Sequence, residues 1–212
     1  MPFEGLLDTM PVVAILRGVA PDRVEAVGDA VFTAGIRAIE VPLNSPEPFK
    51  SIALLRGIFG ASCLCGAGTV LAPEDVDRTR EAGGGLIVAP NTEPRVIARA
   101  RALEMLTMPG FATATEAFAA IGAGATRLKL FPAATYGAGH VKSLKAVLPK
   151  RVSVYAVGGI GAQQVREWMA AGAAGFGFGS ELFKPDYSLD EVAARARGLV
   201  DAVLRAMAEQ ED

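Results

Sequence analysis

The chain has 212 residues and only one histidine, two cysteines and one tryptophan. A histidine-ligated catalytic metal needs several nitrogen or sulfur donors, so His140 alone excludes that chemistry, although a carboxylate-bound magnesium stays open. No apolar run approaches the roughly 18 residues of a membrane span. The start, MPFEGLLDTM, lacks a basic stretch followed by an apolar core, so no signal peptide is expected. Lysine and arginine total 21 against 23 aspartate and glutamate, with no long basic run, which leaves no electrostatic footprint for nucleic acid. Cys63 and Cys65 lie two apart on an expected strand, where a mutual disulfide is awkward. They read as two buried thiols of a cytoplasmic protein.

What is present is apolar and periodic. Hydrophobic residues make up 51% and charged residues 21%, enough for a full core. Short runs rich in strand-forming residues recur: 12–16 (VVAIL), 37–41 (RAIEV), 64–69 (LCGAGT), 86–89 (LIVA), 104–108 (EMLTM), 127–131 (RLKLF), 153–157 (SVYAV) and 175–179 (GFGFG). Amphipathic stretches lie between them. After Pro21, Val24, Val27, Val31 and Ala34 share a helix face, and Gly35 reads as the stop. Thr113 with Glu116, and Ser188 with Glu191, have capping-box spacing. A weak repeat runs through AGIRAIEVP, AGGGLIVAP, AGATRLKLFP and AGAAGFGFGS: a helix ends in Ala-Gly, a strand follows, then a turn.

Repeated strand–helix units imply parallel strands joined by right-handed crossovers. Eight units in one domain of residues 1–212 fit a compact (β/α)8 TIM barrel, near the small end for that fold. The rival is a doubly wound open sheet. The segment LLDTMP can form a short N-terminal helix that plugs the barrel base.

Barrels place chemistry at the C-terminal ends of their strands. Those ends offer Arg17, Glu40, Thr69, Lys129, Gly158–Gly159 and Gly179–Ser180. Alternation sends Leu128 and Leu130 to the helix side and Arg127, Lys129 and Phe131 inward; on the second strand it sends Glu40 inward. Lys129 and Glu40 then converge. A buried Lys–Glu pair that only fixes register is one reading. The other is a lysine made nucleophilic by burial and by the like charge of Arg127, with Glu40 carrying protons. Gly158, Gly159, Gly179 and Ser180 lie in turns where backbone N–H groups at helix starts can hold an anion. Arg17 can clamp a carboxylate or phosphate, or remain a solvated rim charge; Thr69 can hydrogen-bond the same group or be satisfied locally.

Taken in order, PVVAILRG, AIEVPLNSP, GAGTVL, RLKLFPA, AVGGI and GFGS resemble the class I 2-keto-3-deoxy-6-phospho-sugar-acid aldolases over essentially the whole chain. The resemblance implies a homotrimeric (β/α)8 barrel with no cofactor and no metal. Lys129 would be the Schiff-base lysine and Glu40 the acid/base. Arg17 and Thr69 would hold substrate, and Gly158, Gly159, Gly179 and Ser180 its phosphate. Pro42–Ser45 (PLNS) stands where the phosphogluconate-type enzymes carry an arginine-containing TLRT, as in the phosphogalactonate branch. The implied reaction cleaves 2-dehydro-3-deoxy-6-phosphogalactonate to pyruvate and glyceraldehyde 3-phosphate. The alternatives are the gluconate epimer, 4-hydroxy-2-oxoglutarate and, more distantly, an isomerase or epimerase on the same phosphate-binding barrel.

Overall fold

The computed structural model describes residues 4–211. Among them the strands are β1 (Val12–Ile15), β2 (Ala38–Pro42), β3 (Leu64–Gly68), β4 (Leu86–Val88), β5 (Leu106–Met108), β6 (Gly110–Phe111), β7 (Arg127–Leu130), β8 (Ser153–Val157) and β9 (Gly175–Phe178). The helices are α1 (Glu4–Thr9), α2 (Pro21–Thr33), α3 (Pro48–Phe59), α4 (Pro73–Glu81), α5 (Pro94–Ala102), α6 (Ala114–Gly122), α7 (Ala133–Tyr136), α8 (Ala138–Lys145), α9 (Val165–Ala170) and α10 (Leu189–Glu211). Helices α2, α3, α4 and α5 all open on proline, whose missing N–H is harmless in a first turn.

All strand pairs are parallel, in the order β5-β4-β3-β2-β1-β9-β8-β7-β6. The two ends of this order, β5 and β6, are neighbours in the chain. The expected strand 104–108 supplies β5 alone; β6 was not expected, and it is parted from β5 at Pro109, which has no N–H to give a ladder. β5 pairs with β4 and β6 with β7, while the Lys129 N–H donates to the Pro109 carbonyl at 2.9 Å. The sheet thus curls into a nearly closed TIM-barrel-like ring, as expected, and the open doubly wound alternative falls away.

Alternation sorts the side chains as the sequence suggested. Val13, Ile15, Ala38, Leu64, Leu86 and Leu106 fill the barrel, and Leu7 of α1 closes its base with 1% exposure. Ile39, Val41, Leu128 and Leu130 pack outward under the helices, as do the two free thiols Cys63 and Cys65. Burying these side chains removes apolar surface from water at about 25 cal/mol per Å².

The repeat has a physical basis. Gly35, Gly83, Gly124 and Gly172 all take positive φ, between 83° and 111°. In each case the next residue's N–H returns to a carbonyl in the helix: Ile36 to Val31, Gly84 to Thr79, Ala125 to Ala120 and Ala173 to Trp168. Four helices therefore stop by one hydrogen-bonded turn that favours glycine. A fifth, α5, ends the same way with Glu104 in the glycine's place at φ 55°. That corrects the expected strand at 104–108: Glu104 and Met105 belong to the turn, and β5 starts at Leu106. Both capping boxes form, Thr113 with Glu116 and Ser188 with Glu191.

Candidate active site

Lys129 sits on β7 opposite Gly110 of β6 and Tyr155 of β8, and is 5% exposed. Its Nζ stands over the Phe131 ring at 4.7 Å. Burial is the main force holding its pKa below the usual lysine range; the Glu40 carboxylate opposes this and the Arg17 cation adds to it. Arg127, expected to be that like charge, is not. It lies two residues nearer the barrel base and donates to Asp8 of α1 at 3.1 Å, so it ties down the plug helix.

Glu40 sits on β2 between Ile15 of β1 and Gly66 of β3, and is 1% exposed. Burial raises its pKa from 4.5 to about 7, against the pull of Lys129 and Arg17. Its Oε2 has no hydrogen-bond partner among the described residues. A buried carboxyl oxygen left unpaired is costly and points to a role that uses it. The room it occupies comes from Gly68 of β3, where an added Cβ would overlap the carboxyl group.

Lys129 opens onto a cavity of about 250 Å³. Its lining includes Arg17, Lys129, Gly158, Gly159, Gly179 and Ser180, six of the eight expected residues. Glu40 lies outside that lining. Thr69 also lies outside, with its hydroxyl 3.5 Å from Nη2 of Arg17, and has the unusual φ of 58° for a β-branched residue. The remaining lining comprises Ile15, Phe131, Val157, Ile160, Gly177 and Glu181. Phe131 was legible from alternation with Lys129. Val157, at the end of β8, was legible from its place just before Gly158. Glu181 carried no signal in the sequence.

The glycine turns differ from the expected helix starts. Gly158 and Gly159 take φ of 99° and 75°, conformations an L side chain rarely adopts. A short 3-10 turn, Ala162–Gln164, follows them, and α10 begins only at Leu189, well beyond Ser180. Any anion held here would meet turn amides and the Ser180 hydroxyl rather than the end of a long helix. Asn44, in the PLNS segment, does not line the cavity; its Oδ1 accepts from Nη1 of Arg17 at 2.6 Å. His140 lies elsewhere, with Nε2 at 2.6 Å from the Ala112 carbonyl.

A strand-borne lysine with a depressed pKa, a carboxyl group poised near neutrality and an arginine at the rim can together capture a 2-keto acid as an imine and move its protons. Comparison with known proteins places the chain in a family. The chain is 46% identical over 198 residues to a 2-dehydro-3-deoxy-6-phosphogalactonate aldolase of Escherichia coli (strain K12), covering 93% of this chain and 97% of the relative. It is also 46% identical over 186 residues to a probable 2-dehydro-3-deoxy-6-phosphogalactonate aldolase of Rhizobium meliloti (strain 1021), covering 88% of each. A solved structure described as native KDPGal superposes with a TM-score of 0.93 at 45% identity, covering 94% of this chain and 97% of the other. Residues 3–196 match the family described as "Aldolase: KDPG and KHG aldolase", and the chain belongs to that family.

Proposed function

We propose that the chain is a class I aldolase that cleaves 2-dehydro-3-deoxy-6-phosphogalactonate to pyruvate and glyceraldehyde 3-phosphate, working as one domain over residues 1–212. The observation that carries this reading is the buried Lys129, which lines the cavity, within electrostatic reach of a buried Glu40 outside that lining whose pKa is near 7. The two relatives at 46% identity support the galactonate epimer over the gluconate one.

In this reading the neutral Nζ of Lys129 attacks C2 of the keto acid, and loss of water leaves an iminium. Glu40 removes the proton of the C4 hydroxyl. The C3–C4 bond breaks, its electron pair flows into the iminium, and glyceraldehyde 3-phosphate leaves. The enamine takes a proton at C3, and water attacks C2 to release pyruvate and regenerate the amine. Lys129 thus supplies the electron sink that a metal supplies in the other aldolase class. Arg17 holds the substrate carboxylate, with Thr69 beside it. Gly158, Gly159, Gly179 and Ser180 hold the phosphate through turn amides and a hydroxyl.

A homotrimer follows from the family resemblance, and a light-scattering mass three times that of the chain checks it. A cytoplasmic location is part of the same reading, supported by the two free buried thiols. Among the described residues no helix is long and apolar enough to cross a membrane.

The test is borohydride reduction in the presence of pyruvate, followed by peptide mass analysis. A stable adduct on Lys129 is expected; no adduct, or one on another lysine, overturns the mechanism. Pyruvate release measured on both C4 epimers then settles the branch, and activity that survives EDTA is expected.

A further inference from the structure

We infer that Asn44 is a positioning residue that fixes the Arg17 guanidinium for the carboxylate of a 2-keto acid. The inference rests on the aldolase reading above. Arg17 is exposed, so packing alone does not hold it, and an unheld guanidinium samples many rotamers. Nη1 donates to Asn44 Oδ1 at 2.6 Å, a short charge-assisted bond, while Nη2 lies 3.5 Å from the Thr69 hydroxyl. Arginine only donates, so the Asn44 atom facing it is the oxygen.

The turn that carries Asn44 is itself pinned from two sides. The Leu43 N–H donates to the Gly68 carbonyl at 2.8 Å. The Ser45 hydroxyl, buried at 7% exposure, accepts from the Gly18 N–H at 2.9 Å. The segments after β1, β2 and β3 therefore lock together around one guanidinium. On the third of them, Thr69 keeps a left-handed backbone that a β-branched residue rarely adopts, a strain that persists only where the surroundings over-determine it.

The choice of an amide matters. An amide oxygen accepts the N–H without cancelling the positive charge, whereas a carboxylate at the same place would neutralise it. Arg17 has five N–H donors, so those not turned to Asn44 and Thr69 remain for an acid in the cavity it lines. Since Asn44 does not line that cavity, its action on substrate passes through Arg17.

Pyruvate capture tests this without any aldol substrate. The adduct on Lys129 is trapped with borohydride over a range of pyruvate concentrations in the parent, Asn44→Ala, Asn44→Asp, Arg17→Ala and the Asn44→Ala/Arg17→Ala double variant. Asn44→Ala is expected to raise the half-saturating pyruvate concentration about tenfold, the scale of a hydrogen bond to a charged group, with the limiting yield unchanged. Asn44→Asp, which keeps an acceptor but cancels the charge, is expected to capture no better than Asn44→Ala. The double variant is expected to match Arg17→Ala alone, because the two residues act as one unit. Additive losses, or an Asn44→Asp variant that captures pyruvate like the parent, would overturn the inference while leaving the aldolase reading standing. A parent that forms no adduct on Lys129 overturns both. Thermal midpoints near the parent's are expected for all variants; a large drop confined to Asn44→Ala would make the residue a structural support and overturn the positioning role.

Discussion

The carboxyl group of Glu40 lies over the Cα of Gly68, in space that any side chain at that position would fill. One glycine on the neighbouring strand thereby decides where the proposed acid/base can sit.

Gly68→Ala is therefore expected to act as a lesion in Glu40. Turnover should drop toward the two to four orders of magnitude typical of losing a general acid/base. Borohydride trapping of pyruvate on Lys129 should persist. The overpacking itself is expected to lower stability by about 1–3 kcal/mol. Full turnover in Gly68→Ala would show that Glu40 has no fixed place in the reaction.

Glu40→Gln should leave imine formation possible and slow turnover on the same scale. It should also change how stability depends on pH. The Glu40 pKa rises from 4.5 to about 7 on folding, because burial outweighs the attraction of Lys129 and Arg17. Between those pH values the folded chain keeps a proton that the unfolded chain has released, so this group's contribution to stability falls as pH rises and is lost above about pH 7. The variant's stability relative to the parent should therefore be higher at pH 8 than at pH 5. The ceiling on that gain is about 3 kcal/mol, at 1.36 kcal/mol per pKa unit. Urea unfolding at both pH values measures it, and equal differences at the two would mean that burial does not disfavour the ionised carboxyl.

Arg127→Met should leave the pH dependence of pyruvate trapping where it is in the parent. Arg127, with its side chain 12% exposed, pairs with Asp8, whose side chain is 70% exposed, and an ion pair with one partner in water stabilises by about 1 kcal/mol. A modest loss of stability with unaltered trapping is the expected pattern. Trapping whose pH profile moves to higher pH would return Arg127 to the role of lysine tuner.

Glu104→Gly should stabilise the fold. Four helix ends use glycine at this turn, and Glu104 holds the same left-handed conformation at φ 55° with a Cβ. Left-handed backbone costs an L residue about 1–2 kcal/mol, partly offset by the freedom that glycine adds to the unfolded chain. A net gain of roughly 0.5–1 kcal/mol in chemical denaturation is expected. A loss would mean that the Glu104 side chain contributes more than its backbone costs.

Much of the barrel was legible because most strands are short apolar runs closed by a turn residue, and several helices carry an end signal: Pro21, Thr113 and Ser188 at starts, Ala-Gly at four stops. The strand β6 beyond Pro109 went unread, since two residues, Gly110 and Phe111, are too few to show any periodicity. The start of β5 was misread because Glu104 does glycine's work without being glycine. For the site, alternation gave the face that Lys129, Arg127 and Glu40 present but not their depth. Two residues along a strand are about 6.6 Å, enough to move Arg127 from the reacting end to the base. The bond between Asn44 and Arg17 joins residues 27 apart in two loops, and neither loop's composition encodes its partner.

The break at Pro109 gives the ring a seam, and Lys129 is one of its stitches. Its own N–H crosses the seam to the Pro109 carbonyl, and Phe131, two residues on, donates to Phe111 at 3.1 Å. A nearly closed ring loses its shape wherever one joint opens, and a joint that includes a proline lacks one N–H donor. Local unfolding along this line would carry the proposed nucleophile away from Glu40 before the rest of the barrel melted. The main-chain amide of Lys129 is then a reporter of catalytic competence in its own right: the slower it exchanges with solvent deuterium, the longer the reacting groups stay in register.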